Sequence, residues 1–368
     1  MGDDHSFTYR DAGVDVEAGN EAVRLLQERL KSTRNPLVLE GIGGFGGVMR
    51  MPPLKDAVLV AGTDGVGTKI LLAHELGRYD TIGIDLVAMS VNDVSACGAV
   101  PLFFLDYLVV GKVEPGRVAE LVAGVDEGCL RADCVLLGGE TAEHPGHFKD
   151  DGDFDMAGFA VGIAERGELW GPSKVAAGDV LLGLSSNGLH SNGFSLVRAL
   201  LREHDIDLHG KFAAASAESA RSGGSVACDA PAANATVGDV LLVPTIIYSP
   251  VLHDLGHACE VHAAAHITGG GFPDNIGRVV PDGLAAEIDL GGWSPPAVFT
   301  WLHDLGVSHD EMLKTFNCGL GMVLALPVGE LSKAQAVVSR AGLQAQVVGA
   351  IVPRDGGGAV RYTGKLAL

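Results

Sequence analysis

The sequence predicts an α/β protein with mixed, α+β-like sheets, built as two α/β domains. Three observations carry this. Runs rich in Val, Ile and Leu alternate with stretches of helical spacing along most of the chain. The length, 368 residues, exceeds what one hydrophobic core usually serves. A segment rich in Gly, Pro, Ser and Lys at 167–178 separates two such series.

In the first series, 57–61, 81–84, 101–110, 134–137 and 154–164 read as strands. Between them, 68–76, 86–97 and 115–130 carry helical spacing. In the second, 179–184, 261–267, 320–326 and 345–351 read as strands, and 193–202, 295–305 and 310–316 as helices. The domains are set at 1–170 and 171–368. The stretch 209–236 differs: ten of its 28 residues are Ala, with no Leu or Ile, so it buries little and reads as an insertion.

Apolar residues make up 47% of the chain, enough for real cores. Lys plus Arg total 26 against 46 Asp plus Glu, a net charge of −20. Binding to a nucleic-acid backbone or an anionic membrane draws on Lys and Arg, so neither partner is expected. Most of the surplus carboxylate is solvated surface. The six cysteines form no Cys-x-x-Cys pair and read as buried thiols of a reducing compartment. With a polar start and no apolar run of membrane-spanning length, the expected location is cytoplasmic.

Gly41-Ile42-Gly43-Gly44-Phe45-Gly46 matches a dinucleotide-binding string, but Pro52-Pro53 follows where that motif needs a helix. What remains is a glycine loop whose N–H groups can fold over an anion. Gly62-Thr63-Asp64-Gly65-Val66-Gly67-Thr68-Lys69 resembles a P-loop with its last two residues in the wrong order. It still offers a carboxylate, close backbone approach, a helix start and a lysine, as a magnesium–phosphate pair needs. The alternative is a glycine-rich turn with Asp64 as a helix cap.

Asp85 ends the expected strand 81–84, and Glu140 follows 134–137 through two glycines. Three carboxylates thus fall past three strand ends, the edge where α/β sheets bind ligands. Asn92 lies seven residues beyond Asp85, on nearly the same helix face, with Asp93 adjacent. Four converging acids repel one another without a cation; separately, Asp85 is equally readable as a cap. Ser185 to Gly193 and His266-Ile267-Thr268-Gly269-Gly270-Gly271 are further donor-rich turns, making His190 and His266 candidates for acid–base work or substrate anchoring. A lone histidine is more often a structural hydrogen-bonder.

In order and spacing these runs resemble phosphoribosylformylglycinamidine cyclo-ligase, from Tyr9 to about Ile351. The specific runs also include Gly83-Ile84-Asp85-Leu86-Val87-Ala88-Met89, Pro101 to Tyr107, Gly138-Gly139-Glu140-Thr141-Ala142-Glu143, His190-Ser191-Asn192-Gly193 and Thr315-Phe316-Asn317-Cys318-Gly319. The resemblance implies a homodimer whose N-terminal sheets pair into a barrel-like core. It implies the ATP- and Mg2+-dependent closure of formylglycinamidine ribonucleotide to aminoimidazole ribonucleotide, in purine biosynthesis. It implies magnesium at Asp64, Asp93 and Glu140, and ATP contacts from Gly43, Gly44, Gly46, Asp64, Gly65, Lys69, Asp85, Asn92 and Glu140. Substrate contacts fall to His190, Ser191, Asn192 and Gly193, and catalytic roles to Asp93, Lys69, His190 and His266. The chain departs from the family pattern at Asn187-Gly188-Leu189 and in the Ala-rich insertion. Selenophosphate synthetase would need a reactive Cys in the N-terminal glycine loop, whereas the first Cys here is Cys97. Formylglycinamidine ribonucleotide synthetase is usually much longer. Thiamine-phosphate kinase suits the His190 and Thr315 runs poorly. A non-catalytic nucleotide-binding scaffold would have lost carboxylates that this chain keeps.

Overall fold

The computed structural model describes residues 8–213 and 234–368. Most of the Ala-rich insertion, 214–233 with Cys228, lies outside the described residues.

Helix α1 (Val16–Arg29) starts where the Asp15 carboxylate accepts the N–H groups of Glu17 and Ala18. A short antiparallel ribbon, β1 (Val38–Glu40) and β2 (Val48–Met49), carries the glycine loop at its tip. Then come β3 (Ala57–Gly65), α2 (Lys69–Leu76), α3 (Ile82–Ala96), β4 (Val100–Val110), α4 (Pro115–Arg131), β5 (Val135–Glu143) and β6 (Phe154–Glu165). These strands form a four-stranded sheet, ordered β3-β6-β4-β5. Only β4 and β5 run parallel, joined through α4. In β3 the even positions are the more covered and the odd ones exposed, so one sheet face packs on helices and the other is open.

Two expectations are corrected here. Residues 81–84 are not a strand but run into the first turn of α3. Nearly all of α3 is buried, so its sequence shows no polar face to reveal the helical period. Gly83 lets α3 press on α4: a Cβ there would collide with the backbone of Gly124 and Val125. Nor do three carboxylates mark three strand ends. Asp85 sits in a helix, and β3 and β5 run on to include Asp64 and Glu140.

The second half contributes β7 (Val180–Ser185), α5 (Phe194–Glu203), α6 (Val237–Leu241), α7 (Ser249–Ala258), β8 (Ala263–His266), α8 (Gly271–Gly277) and β9 (Leu284–Asp289). It continues with α9 (Ala297–Asp304), α10 (His309–Thr315), β10 (Leu320–Leu326), α11 (Leu331–Arg340), β11 (Ala345–Pro353) and β12 (Val360–Thr363). Its six-stranded sheet, ordered β12-β9-β11-β7-β10-β8, is antiparallel except between β12 and β9. Every residue of β10 is buried, as a strand paired on both edges and covered on both faces requires. The two sheet-bearing halves match the mixed α/β architecture expected.

Among the described residues no helix is long and apolar enough to cross a membrane. Cys129, Cys134 and Cys318 are buried thiols, as expected, and Cys259 is half-buried. Cys97 is exposed, because it caps the C-terminus of α3 instead of lying inside the helix.

Candidate functional site

Helix α3 lies between the two halves and presents three polar side chains to the second. Asp85 accepts the N–H of Thr245 at 2.8 Å and its hydroxyl at 2.6 Å. Asn92, two turns on, accepts the Tyr248 N–H at 2.7 Å and donates to the Ile246 carbonyl at 2.8 Å. Asp93, next to it, is exposed and meets His266 Nδ1 at 2.8 Å. The segment 243–248 thus lies along α3 as a strap, bound mainly through its backbone.

Lys69 opens α2 but does not face solvent: it is fully buried. Its ammonium meets Asp85 Oδ2 at 2.7 Å, the Val243 carbonyl at 2.7 Å and the His190 carbonyl at 3.0 Å. Two hydrogen bonds and one ion pair thus surround the ammonium. The Phe194 ring covers it at 5.5 Å. Burial pulls the Lys69 pKa down and pushes that of Asp85 up, and the mutual attraction opposes both shifts. The expected contacts of Lys69 and Asp85 with ATP phosphates are therefore not offered by this arrangement. Both groups are withdrawn from solvent and occupied.

The loop after β7 is held one residue at a time. His190 takes a left-handed backbone, φ 61°, which turns its carbonyl to Lys69. Ser191 Oγ donates to the Val66 carbonyl at 2.7 Å, and Asn192 Oδ1 accepts the Gly269 N–H at 2.9 Å. Behind them Ser186 donates to Asn317, and Asn317 donates to the Gly188 carbonyl. Gly193, also left-handed, caps the N-terminus of α5. The His190 ring is buried with neither nitrogen partnered by the protein. Burial, then the nearby His266 and Lys69, hold its pKa well below the usual 6.5, so it is neutral at pH 7. His266 is buried as well. The bond of buried His266 to Asp93 fits the structural hydrogen-bonder that the sequence left open.

Asp64 is half-buried on β3, accepting the Gly65 N–H at 2.8 Å. Burial, with a smaller push from the charge of Asp93, raises its pKa from the usual aspartate value, against the Gly65 N–H. Asp64, Asp93 and His266 are thus electrostatic neighbours. Glu140 is exposed on β5 and acts instead on Asp106, a buried carboxyl of β4. Asp106 leans over Gly139 of β5, where a Cβ would collide with its carboxylate. Burial, and then Glu140, push its pKa up to about 7 against its own backbone N–H. Gly47, at the root of the glycine loop, sits against Leu137 of β5 with no room for a side chain. Gly43, Gly44 and Gly46 precede it, with the Phe45 ring exposed.

The sequence-derived candidates therefore divide. Asp64, Asn92, Asp93, His190, Asn192 and His266 are drawn around α3. Glu140 and the loop of Gly43, Gly44 and Gly46 belong to the β5 side. Among the described residues no three His, Cys, Asp or Glu side chains are gathered closely enough to hold a metal ion. The expected convergence of four acids is thus not present in the single chain. Sequence reasoning missed Thr245, Tyr248, Ser186, Asn317 as a brace, and Asp106.

Residues 45–164 match AIR synthase related protein, N-terminal domain, and residues 176–361 match the C-terminal domain of the same family. The chain belongs to the AIR synthase related family. Solved structures similar to it include thiamine-monophosphate kinase from Stenotrophomonas maltophilia K279a, at 16% identity and TM-score 0.63, covering 95% of this chain and 97% of that one. E. coli HypE aligns at 17% identity and TM-score 0.62, covering 94% of each chain. The hydrogenase maturation protein HypE in complex with ATP aligns at 16% identity and TM-score 0.62, over 90% of this chain and 86% of that one. At such identities these likenesses show the shared fold.

Proposed function

We propose that this chain binds ATP with magnesium and closes formylglycinamidine ribonucleotide to aminoimidazole ribonucleotide, releasing ADP and phosphate. One observation carries the reading. The two runs that set the cyclo-ligase resemblance apart from the kinase one, 190–193 and 315–319, belong to two turns that brace each other. Asn317 bonds Ser186 and Gly188, and Gly319 accepts the Ser186 N–H at 2.8 Å. The braced loop then meets Val66 and Gly269 beside Asp64 and Asp93. The ATP-bound HypE structure supports the nucleotide.

The chemistry needs ATP because an amide oxygen leaves poorly until phosphorylated. The amide oxygen attacks the γ-phosphorus and ADP leaves. The amidine nitrogen that bears the ribose then attacks the activated formyl carbon, the ring closes, its proton is lost to solvent, and phosphate departs with the oxygen. Positioning and charge neutralisation are the protein's main work in such a step. Asp64 and Asp93 supply hard oxygen donors, and magnesium commonly takes one or two carboxylates plus substrate phosphates, so the residues fit the ion. When bound, magnesium neutralises phosphate charge. His266 fixes the carboxylate of Asp93 from behind, and Ser191 and Asn192 set the loop that faces the nucleotide substrate. Glu140 and the loop of Gly43, Gly44 and Gly46 are assigned to the ATP side.

The open face of the four-stranded sheet supports a homodimer. It exposes Leu59, Tyr107 and Phe159, large apolar groups that a lone soluble domain rarely gathers on one sheet face. Incubation with formylglycinamidine ribonucleotide, ATP and magnesium should yield aminoimidazole ribonucleotide and ADP. Folded protein that forms neither, or that instead phosphorylates thiamine monophosphate, refutes the reading.

A further inference from the structure

We infer that Lys69 is a positioning residue that holds the 186–193 loop and the 243–248 strap in register, and is not a ligand of nucleotide phosphate. Its place after a glycine turn at a helix start invites the phosphate role, and its surroundings oppose it. The side chain is fully buried, its ammonium donates to the His190 and Val243 carbonyls, and it pairs with Asp85 Oδ2 at 2.7 Å. The Phe194 ring closes over it. To reach a phosphate, the ammonium would have to abandon Asp85 and leave that carboxylate buried and uncompensated.

The contacts it does make connect three distant parts of the chain. His190 and Val243 lie 121 and 174 residues from Lys69 in sequence. Asp85, which receives the ammonium on one oxygen, receives Thr245 on the other. The ion pair thus couples the helix start, α3, the strap and the loop through one buried point. The bond to the His190 carbonyl stabilises a backbone conformation that residues other than glycine seldom adopt. Together with Ser191 on Val66 and Asn192 on Gly269, it is one of three consecutive tethers that shape the loop. The inference rests on the proposed reading only where it takes that loop to bind the nucleotide substrate.

The test is the double variant Lys69→Met/Asp85→Asn, which removes both charges and leaves neither buried alone. ATP affinity is measured by titration with ATP and magnesium. Loop order is followed by amide hydrogen exchange of 186–193 and 243–248, and the two KM values are determined. The expected result is ATP affinity within about threefold of the parent, faster exchange in both segments, and KM for formylglycinamidine ribonucleotide raised about tenfold or more. A folded variant that loses ATP affinity about tenfold or more, with exchange in the loop unchanged, overturns the inference. If the double variant does not fold, Thr245→Val weakens the same point while keeping the ammonium. Faster exchange at 186–193 with ATP affinity retained supports the inference, and unchanged exchange overturns it. Should the parent form no aminoimidazole ribonucleotide, the proposed reaction fails, while the exchange and ATP measurements still decide the role of Lys69.

Discussion

Asp106 should make the folded chain measurably less stable as pH rises through neutrality, and Asp106→Asn should abolish that loss. The carboxyl is buried on β4, pressed over Gly139, and titrates at about 7 because burial and the neighbouring Glu140 disfavour its charge. In the unfolded chain an aspartate titrates near 3.9. Between about pH 4 and pH 7 the folded state therefore holds a proton that the unfolded state has released. Stability falls as pH rises through that window, and the loss is complete above the folded pKa. A separation of about three pH units corresponds to about 4 kcal/mol, an upper figure because water reaching the carboxylate reduces it. Asn keeps the shape without the charge. Denaturant melts in EDTA should show the advantage of the variant over the parent growing by about 1 kcal/mol between pH 4 and pH 5 and by about 2–3 kcal/mol more between pH 5 and pH 8. A difference that does not change with pH would refute the assignment of the proton to Asp106.

Further outcomes follow from other contacts. Gly83→Ala drives a methyl into the backbone of α4, which cannot swing aside, so a loss of about 3 kcal/mol or more is expected by denaturant melt. Asp93→Asn should lower turnover at least about a hundredfold with little change in melting temperature, because the carboxylate is exposed and makes one contact, to His266. Near-normal turnover would remove Asp93 from the metal site. Phe159→Glu places a charge on the open sheet face and, with the proposed homodimer, should shift sedimentation from dimer to monomer without unfolding the chain.

Much of the fold was legible in the sequence because its strands are short apolar runs separated by glycine-rich turns. The limits of β4, β6 and β10 agree with the expected runs to within a residue. The misreading at 81–84 has a definite cause. A helix buried all round loses the polar face that marks its period, and Ile-Gly-Ile then looks like a strand. Helices α1, α6, α7, α8 and α11 and strands β1, β2, β9 and β12 were not anticipated, and of these β12 is a four-residue edge strand with little signal to give. In the candidate site the motif residues were visible and their partners were not. The strap engages α3 chiefly through the Ile246 carbonyl and the Thr245 and Tyr248 N–H groups, and Lys69 of α2 through the Val243 carbonyl, and backbone atoms leave no trace in composition. The burial of Lys69 was hidden for a related reason: a sequence states that a lysine follows a glycine turn, but not which surface will cover it.

The strap also bears on how such chains can be recombined. The two halves match separate family domains, which invites exchange of one half for that of a relative. The backbone of Val243, Thr245, Ile246 and Tyr248, with the Thr245 hydroxyl, nevertheless partners Lys69, Asp85 and Asn92 of the other half. A chimera cut at 167–178 would inherit a buried lysine and aspartate with foreign partners, even with each sheet intact. The inherited unit is the matched pair of surfaces, and a successful graft has to carry helix α3 and residues 243–248 together.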